Sequence, residues 1–540
     1  MLDGVIAAYL RTLSERSFFD PFQAILGANN FYDIHRTHGT AEFGRDFIAK
    51  RLEDGVIWQC GIQTKVGDVA QGQFRGEILG QIDEVRLLSG MNPNFDAGLP
   101  RKAVLATTGR LTGNAPSAAA DYKRQHDSDR FNFEVWTIDT LLEMMANAPE
   151  AALAGATEAQ VLGAVASIHV GTFTERSLED LSLGWIAGGV DGLWRSALVA
   201  LVVSGRLSTA GRTDLAALTG VHLVRSTWAS VHGSVPPPTA ALDVARAGEG
   251  ILRANAVALL EEFQSLPPGP RGFVWSTQDV GAFVNYPIRC LRLLEIFGLA
   301  GLAERDPQVR QAFVNACRTL ISDHPGSSHP PSDSWAVSVV PAAILVFVED
   351  PELVGRWLLQ LCRWLADRYD PSTGAGLAAP LADPEDEIRQ LVGPPFDFIE
   401  VTRRPESFLA TVLLDLAASL ELADVYDAII NEVMAVDALP TVVECDDDLT
   451  QYYDIPPGAS LEPFMRYDEY YAASPGWPSA PHHKRIRLHY LERQGLYWDF
   501  LTLCSVMRDR CFPSVIRGLT GRPVQPAAAA GETKEPASPA

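Results

Sequence analysis

The chain has 540 residues, a formal net charge of -23, 47% hydrophobic and 21% charged residues. This length predicts two or three domains with sizeable cores, and the composition is typical of a globular protein. The acidic balance argues against a protein that wraps nucleic acid nonspecifically. The longest apolar run, residues 335–348, is too short to span a bilayer, and no N-terminal signal peptide is evident.

Cysteine usage indicates a reducing compartment. The chain has seven cysteines, an odd number with neither close pairs nor the spacing of a zinc site. We therefore expect reduced thiols and a cytoplasmic protein.

The negative charge is spread unevenly along the chain. Residues 1–148 carry 15 basic and 19 acidic residues, a balance of -4, so the remainder accounts for -19 of the total. Contacts with nucleic acid are therefore expected in the first part. The acidic remainder is expected to serve as a partner, sensor or oligomerisation surface.

The first elements predicted are two helices, over residues 1–13 and 18–26, and a strand over residues 31–35. Asp20 followed by Pro21 has the pattern of a helix N-cap with proline in the first turn.

A β-hairpin follows. An apolar-leaning run begins at Asp46, residues 53–55 have turn chemistry, and residues 56–65 are rich in β-branched and aromatic side chains. A turn centred near Asp54 makes paired residues sum to about 108, which places Asp46 opposite Ile62 and diagonal to Gln63. Because Gln63 and Lys65 are two residues apart, both side chains leave one face of the strand.

This end of the hairpin has the groups that phosphodiester hydrolysis needs. Asp46, the Gln63 amide oxygen and the Thr64 carbonyl are oxygen ligands suited to a hard divalent cation such as Mg²⁺ or Mn²⁺. Such a cation neutralises phosphate charge and lowers the pKa of a bound water. Lys65 can orient that water and stabilise the transition state. Glu42 is a further candidate, as an outer ligand or as a clamp for a second ion.

Beyond the hairpin, helices and strands alternate. A helix is predicted over residues 72–85, a strand over 102–109, a helix over 115–125, a strand over 133–139 and a closing helix from residue 140. This alternation predicts a mixed α/β sheet flanked by helices.

The pattern Asp46…Gln63-Thr64-Lys65 resembles the PD-(D/E)xK nuclease signature, in the Gln-x-Lys form of Mrr-like restriction endonucleases. The flanking GTAEFGRDFIA and IQTKVGD, and the later KAVLATTG and FEVWTID, are similar to that family as well. The resemblance covers residues 17–145, about a quarter of the chain. Two positions depart from the pattern. Arg45 stands where proline is expected, and Gln63 replaces a carboxylate, which weakens the attraction for a metal ion.

The resemblance implies a restriction-endonuclease-like α/β fold and Mg²⁺-dependent cleavage of DNA. It assigns Asp46, Gln63 and Lys65 to the active site. In such nucleases the helix after the lysine strand lies beside the substrate backbone, where Arg75 is the most useful cation. Arg110, at the end of a later strand, is expected to make a phosphate contact.

From residue 149 the sequence becomes helical in texture. Helical periodicity covers residues 178–207, 252–266, 288–302, 309–321, 351–369 and 407–434. No fixed repeat period is apparent, so we expect an irregular helical bundle or solenoid over residues 149–524. Residues 525–540 are of low complexity and are predicted to be a disordered tail.

The function favoured is a metal-dependent DNA endonuclease at residues 1–148, in prokaryotic restriction or antiviral defence. The helical part would then bind a protein partner or a second copy of the chain, and no membrane is expected. Two alternatives remain open: an interaction protein that kept a nuclease fold without activity, and a structure-specific repair nuclease.

Overall fold

The structure is a computed structural model that describes residues 2–37, 45–88, 94–96, 98–146, 148–155, 158–231, 238–267, 269, 280–379, 384–393, 401–442, 462–463, 500 and 504. Two compact units are present, residues 1–181 with 188–210 and residues 182–187 with 211–540. The first unit thus includes residues beyond the predicted limit at 148, which stays a prediction, as does the tail, which lies outside the described residues. Within the described ranges, no single helix is long and apolar enough to cross a membrane.

The first unit is built on a mixed five-stranded sheet of order β1-β2-β3-β5-β7. Its strands are β1 (Tyr32–Arg36), β2 (Phe47–Glu53), β3 (Val56–Lys65), β5 (Arg101–Thr107) and β7 (Phe131–Trp136). The short strands β4 (Val69–Ala70) and β6 (Leu111–Thr112) form a separate parallel pair. The strands β1, β2 and β3 are antiparallel neighbours, whereas β5 and β7 continue the sheet in parallel to β3. The predicted mixed α/β sheet with flanking helices is therefore present.

Helices cover both faces of this sheet. The helices of the first unit are α1 (Leu2–Thr12), α2 (Glu15–Ala28), α3 (Gln71–Gln73), a π-helical turn (Phe74–Ile78), α4 (Leu79–Leu88), α5 (Ala115–His126), α6 (Ile138–Met145), α7 (Glu158–His169), the start of α8 (Glu175–Ala187) and α9 (Leu193–Thr209). One face of the sheet, including Ala103 and Leu105, is buried under the π-helical turn, α4 and α5. The other face packs on α2, where the Phe22 ring contacts Phe47 and Trp136.

The β2–β3 hairpin differs by one residue from the predicted register. Phe47 pairs with Ile62 and Glu53 with Val56, so paired residues sum to 109 rather than 108. The loop has two residues, Asp54 and Gly55, both with positive φ (47° and 80°), as a two-residue hairpin turn of the primed type requires. The turn centre therefore lies between these two residues rather than at Asp54. Asp46 consequently extends β2 toward Gln63 instead of pairing with Ile62.

The outer edge of β7 is closed by side chains. The Phe133 N–H donates to the Asp127 carboxylate (2.9 Å), and its carbonyl accepts from the Lys123 ammonium (2.9 Å). Phe131 exchanges backbone hydrogen bonds with Ser128. Two successive outward-facing residues of the edge thus have partners within their own chain.

The second unit is mostly helical. Its elements are the end of α8, α10 (Thr213–Ser230), α11 (Thr239–Ser265), α12 (Val280–Ala303), α13 (Pro307–Asp323), α14 (Val339–Phe347), α15 (Pro351–Tyr369), α16 (Pro384–Val392), α17 (Phe408–Ser419) and α18 (Ala423–Ala435), with the short strands β8 (Glu406–Ser407), β9 (Leu439–Val442) and β10 (Glu462–Pro463). The helices α10 and α11 approach closely, since a Cβ on Gly220 would lie 2.4 Å from the Gly248 carbonyl oxygen. The predicted mostly α-helical region is therefore present, whereas its description as an irregular bundle or solenoid stays a prediction.

A buried carboxylate organises the start of α17. Asp333 is inaccessible to solvent and accepts hydrogen bonds from the backbone N–H groups of Phe408 and Leu409 and from the Arg404 guanidinium, each at 2.9 Å. Burial raises the pKa of the Asp333 carboxyl, although Arg404 and the two N–H groups act in the opposite direction. The three donors satisfy a group that would otherwise be costly to bury.

Candidate active site at the end of the third strand

The Asp46 carboxylate is held against β3 by one residue. Its Oδ2 accepts from the Thr64 backbone N–H (2.7 Å) and from the Thr64 hydroxyl (2.8 Å), while the Asp46 N–H donates to the Ile62 carbonyl (2.8 Å). In the described part of the chain, Oδ1 has no hydrogen-bond donor. Burial raises the pKa of the Asp46 carboxyl, although the two donors on Thr64 act against this. The carboxylate thus has a fixed orientation and one oxygen available to a ligand.

Gln63 follows Ile62, the last residue of β3 that pairs with β2, and is only 5% exposed. Its Nε2 lies 3.5 Å from the Thr64 carbonyl oxygen. In the parallel ladder Gln63 pairs with Leu105, so it belongs to the sheet face covered by α4 and α5.

The Lys65 ammonium ends the strand between two glutamates. It lies 3.2 Å from Glu15 Oε1 and 2.9 Å from Glu77 Oε1, and its side chain is 13% exposed. Burial alone would lower the pKa of Lys65, but the two carboxylates outweigh burial and raise it above its usual range. Lys65 is therefore an ammonium ion at neutral pH.

The neighbouring strand β5 ends in a tightly packed turn. The Thr108 N–H donates to the Lys65 carbonyl (3.1 Å) and the Gly67 N–H to the Thr108 hydroxyl (2.9 Å), so the turn is tied to the chain that follows β3. At Gly109 a Cβ would lie 2.2 Å from the Gly67 carbonyl carbon. Only glycine allows the two backbones to approach this closely.

We expect Gly109→Ala to destabilise the first unit by about 1–3 kcal/mol or more, because the added methyl group must push backbone aside. The measurement is hydrogen exchange of the β3 and β5 amides, followed by mass spectrometry, because it reports on the first unit by itself. The matched control is Gly72→Ala, in α3, where a Cβ meets nothing within 4 Å. That change should be neutral or stabilising, since alanine favours a helix. An equal loss of stability in both variants would contradict the close approach.

The remaining predicted site residues lie apart from this cluster or outside the described residues. Arg75 is exposed on the π-helical turn, and the described ranges show no ion pair for it. Arg110 is also exposed but forms a bidentate ion pair with Asp139 (2.8 and 3.0 Å). Glu42 lies outside the described residues.

Glu15 and Glu77 are the site residues that sequence reasoning missed. Glu15 occupies the first turn of α2, where an acidic residue is common because it complements the helix dipole. Glu77 lies on a helix that is polar in sequence and therefore has no distinguishing neighbour pattern. Each is brought to Lys65 by tertiary packing alone.

The proposed site has oxygen donors suited in chemical type to a divalent cation. One Asp46 oxygen, the Gln63 amide oxygen and the Thr64 carbonyl are hard donors of the kind that Mg²⁺ and Mn²⁺ prefer. Among the described residues no group of three or more histidine, cysteine, aspartate or glutamate side chains has metal-binding geometry. The proposed donors thus match such an ion in chemical type, and Asp46 is the one carboxylate that would supply negative charge.

Comparison with known proteins gave no relative. No protein-family model matches the chain, and no curated protein or solved structure matches it significantly.

Proposed function

We propose that this protein is a metal-dependent DNA endonuclease whose active site is formed by Asp46, Gln63, Thr64 and Lys65. One observation supports it above all: an oriented carboxylate and a lysine ammonium lie at one end of adjoining strands. The arrangement agrees with the Gln-x-Lys nuclease pattern, and the near-neutral charge of residues 1–148 is compatible with a polyanionic substrate.

In this proposal Asp46 Oδ1, the Gln63 amide oxygen and the Thr64 carbonyl would hold Mg²⁺ or Mn²⁺. The bound ion would neutralise phosphate charge and lower the pKa of a water molecule. The Thr64 N–H and hydroxyl keep the Asp46 carboxylate in place, which avoids reorganisation during the reaction. Lys65 stabilises the negative charge that develops on the phosphate. Arg75, exposed and without an ion pair in the described ranges, is assigned to the DNA backbone, whereas the charge of Arg110 is partly offset by Asp139.

The setting proposed is restriction or antiviral defence in a prokaryotic cytoplasm, with the helical unit as sensor or assembly surface. An inactive interaction protein is the second candidate, because Gln63 leaves Asp46 as the one carboxylate among the three proposed ligands.

A cleavage assay on the full chain tests the proposal. Supercoiled plasmid, linear duplex and single-stranded DNA are incubated with the protein in Mn²⁺, in Mg²⁺ and in EDTA. Cleavage in a divalent metal and none in EDTA is the expected result. Binding of DNA without cleavage under every metal condition would instead favour the interaction protein, and cleavage of branched substrates alone would favour a repair nuclease.

We expect Gln63→Glu to bind Mn²⁺ more tightly than wild type and Gln63→Ala to bind it less tightly. The glutamate adds a negative charge in the same shape, and the alanine removes an oxygen ligand. Differences on the order of tenfold, about 1.4 kcal/mol, are anticipated in isothermal titration. Gln73→Ala, an exposed glutamine in α3, is the control. Equal affinity in Gln63→Ala and wild type would show that Gln63 is not a ligand.

A further inference from the structure

The two glutamates at Lys65 come from opposite layers of the first unit. Glu15 is in α2, on the sheet face that packs Phe22 against Phe47. Glu77 is in the π-helical turn, on the face that buries Leu105. Lys65 is the last residue of β3, and one carboxylate from each of these two layers contacts its ammonium group.

The π-helical turn supplies Glu77, one of the two carboxylates that contact Lys65. Phe74 and Ile78, its first and last residues, are both fully buried in the core, and Glu77 lies between them in sequence with its carboxylate 2.9 Å from Lys65. A π turn inside an α-helix is uncommon and occurs frequently at functional sites. The turn belongs to the continuous helical run of α3 and α4, and its Glu77 side chain reaches the end of β3.

The ion pairs leave Lys65 one hydrogen-bond donor. An ammonium group has three N–H donors, and Glu15 and Glu77 take two of them. Within the described residues the third has no acceptor. Asp46, on the neighbouring strand, is also within electrostatic range. The Lys65 charge lowers the pKa of the Asp46 carboxyl, and the Glu15 charge raises it.

We propose that Glu15 and Glu77 are positioning residues that clamp the Lys65 side chain and leave one N–H to donate to the reacting phosphate. The proposal rests on the nuclease function above and adds to it the two residues that hold the Lys65 ammonium group in place. Neither glutamate is assigned to the metal or to the phosphate.

The small number of lysines allows a direct test in the full chain. Only six are present: Lys50, Lys65, Lys102, Lys123, Lys484 and Lys534. Protein labelled with [ε-¹³C]lysine therefore gives few NMR signals, and the Lys65 signal is the one lost in Lys65→Arg. Its chemical shift and its relaxation rates, which report how firmly the side chain is held, are measured at one neutral pH in wild type, Glu15→Gln, Glu77→Gln and the double variant. The other lysine signals report whether the fold is retained.

The matched control is Glu53→Gln. Glu53 and Glu134 bracket Lys102, the second residue of β5, at the other end of the strand. This control should change the Lys102 signal and leave Lys65 and DNA cleavage unchanged. In contrast, Glu15→Gln and Glu77→Gln should each shift the Lys65 signal and make its side chain more mobile, and the double variant should do so most because neither ion pair then remains.

In cleavage assays at the same pH the two variants should show a several-fold lower kcat and an unchanged or lower KM for DNA. An unchanged Lys65 signal in both variants would overturn the clamp. A more mobile Lys65 side chain with an unchanged kcat would overturn the positioning role. If wild-type protein cleaves no DNA, the nuclease function and the donor role both fail, while the Lys65 signal still decides whether the ion pairs exist.

Discussion

Asp46→Ala should abolish DNA cleavage, with a loss on the order of a thousandfold or more, about 4 kcal/mol of transition-state stabilisation. The change removes the one carboxylate among the proposed metal ligands. It also removes the acceptor of the Thr64 N–H and hydroxyl, which lie in a buried residue, so a loss of stability of about 1–3 kcal/mol is expected as well. Single-turnover cleavage in Mn²⁺ is the measurement.

A second substitution separates chemistry from folding. Asp46→Asn retains an oxygen that can accept from Thr64 but carries no charge, so it should lose cleavage while losing less stability. Asp121→Ala, at an exposed position on α5, is the control and should cleave as wild type does. Wild-type rates in both Asp46 variants would remove this residue from the active site.

Asp333→Ala is expected to have the largest effect on stability, about 3–5 kcal/mol in the helical unit. The substitution leaves the Arg404 guanidinium without its buried counter-ion and two N–H groups at the start of α17 without an acceptor. Hydrogen exchange of the α17 amides, followed by mass spectrometry, measures this loss at the helix itself. A global unfolding curve is unsuitable, because the unfolding of a two-unit chain is not a single transition.

The matched control for that experiment is Asp323→Ala. Asp323 is exposed at the end of α13, and its removal should change stability by no more than about 0.5 kcal/mol. If α17 exchanged at the same rate in Asp333→Ala as in wild type, the buried ion pair would contribute nothing to this helix. DNA cleavage offers no substitute readout, because Asp333 is in the unit without the proposed active site.

Local chemistry made the strands of the first unit predictable. The strand β3 has the predicted bounds of residues 56–65, because β-branched and aromatic side chains follow a turn-forming Asp-Gly pair. The register was wrong by one residue because the turn centre depends on backbone conformation, and both Asp54 and Gly55 adopt positive φ.

Helix boundaries were less predictable. Asp20 and Pro21 have the pattern of a helix start, yet both lie inside α2, which begins at Glu15 after the Ser14 N-cap. The predicted helix over residues 178–207 is two helices, broken where Gly189 adopts a positive φ of 57°. In both places the local sequence is compatible with a helix that continues and with a helix that ends. Tertiary packing determines which of the two is present.

The contacts of the candidate site were predictable only in part. Asp46 and Lys65 belong to adjoining strands of one hairpin, so their approach follows from strand pairing. Glu15 is 50 residues from Lys65 in sequence, and the two meet only because the first turn of α2 packs near the end of β3. Neither the spacing of these residues in the sequence nor the composition around them predicts this contact.

The closed edge of β7 has a consequence for crowding and self-association. An unpaired strand edge invites a second chain to add a strand, which is a route to fibres as well as to dimers. The Asp127 and Lys123 side chains occupy the hydrogen-bonding positions of Phe133 that an incoming strand would need. At high concentration, then, these two charged side chains protect this border of the sheet from growing into an aggregate.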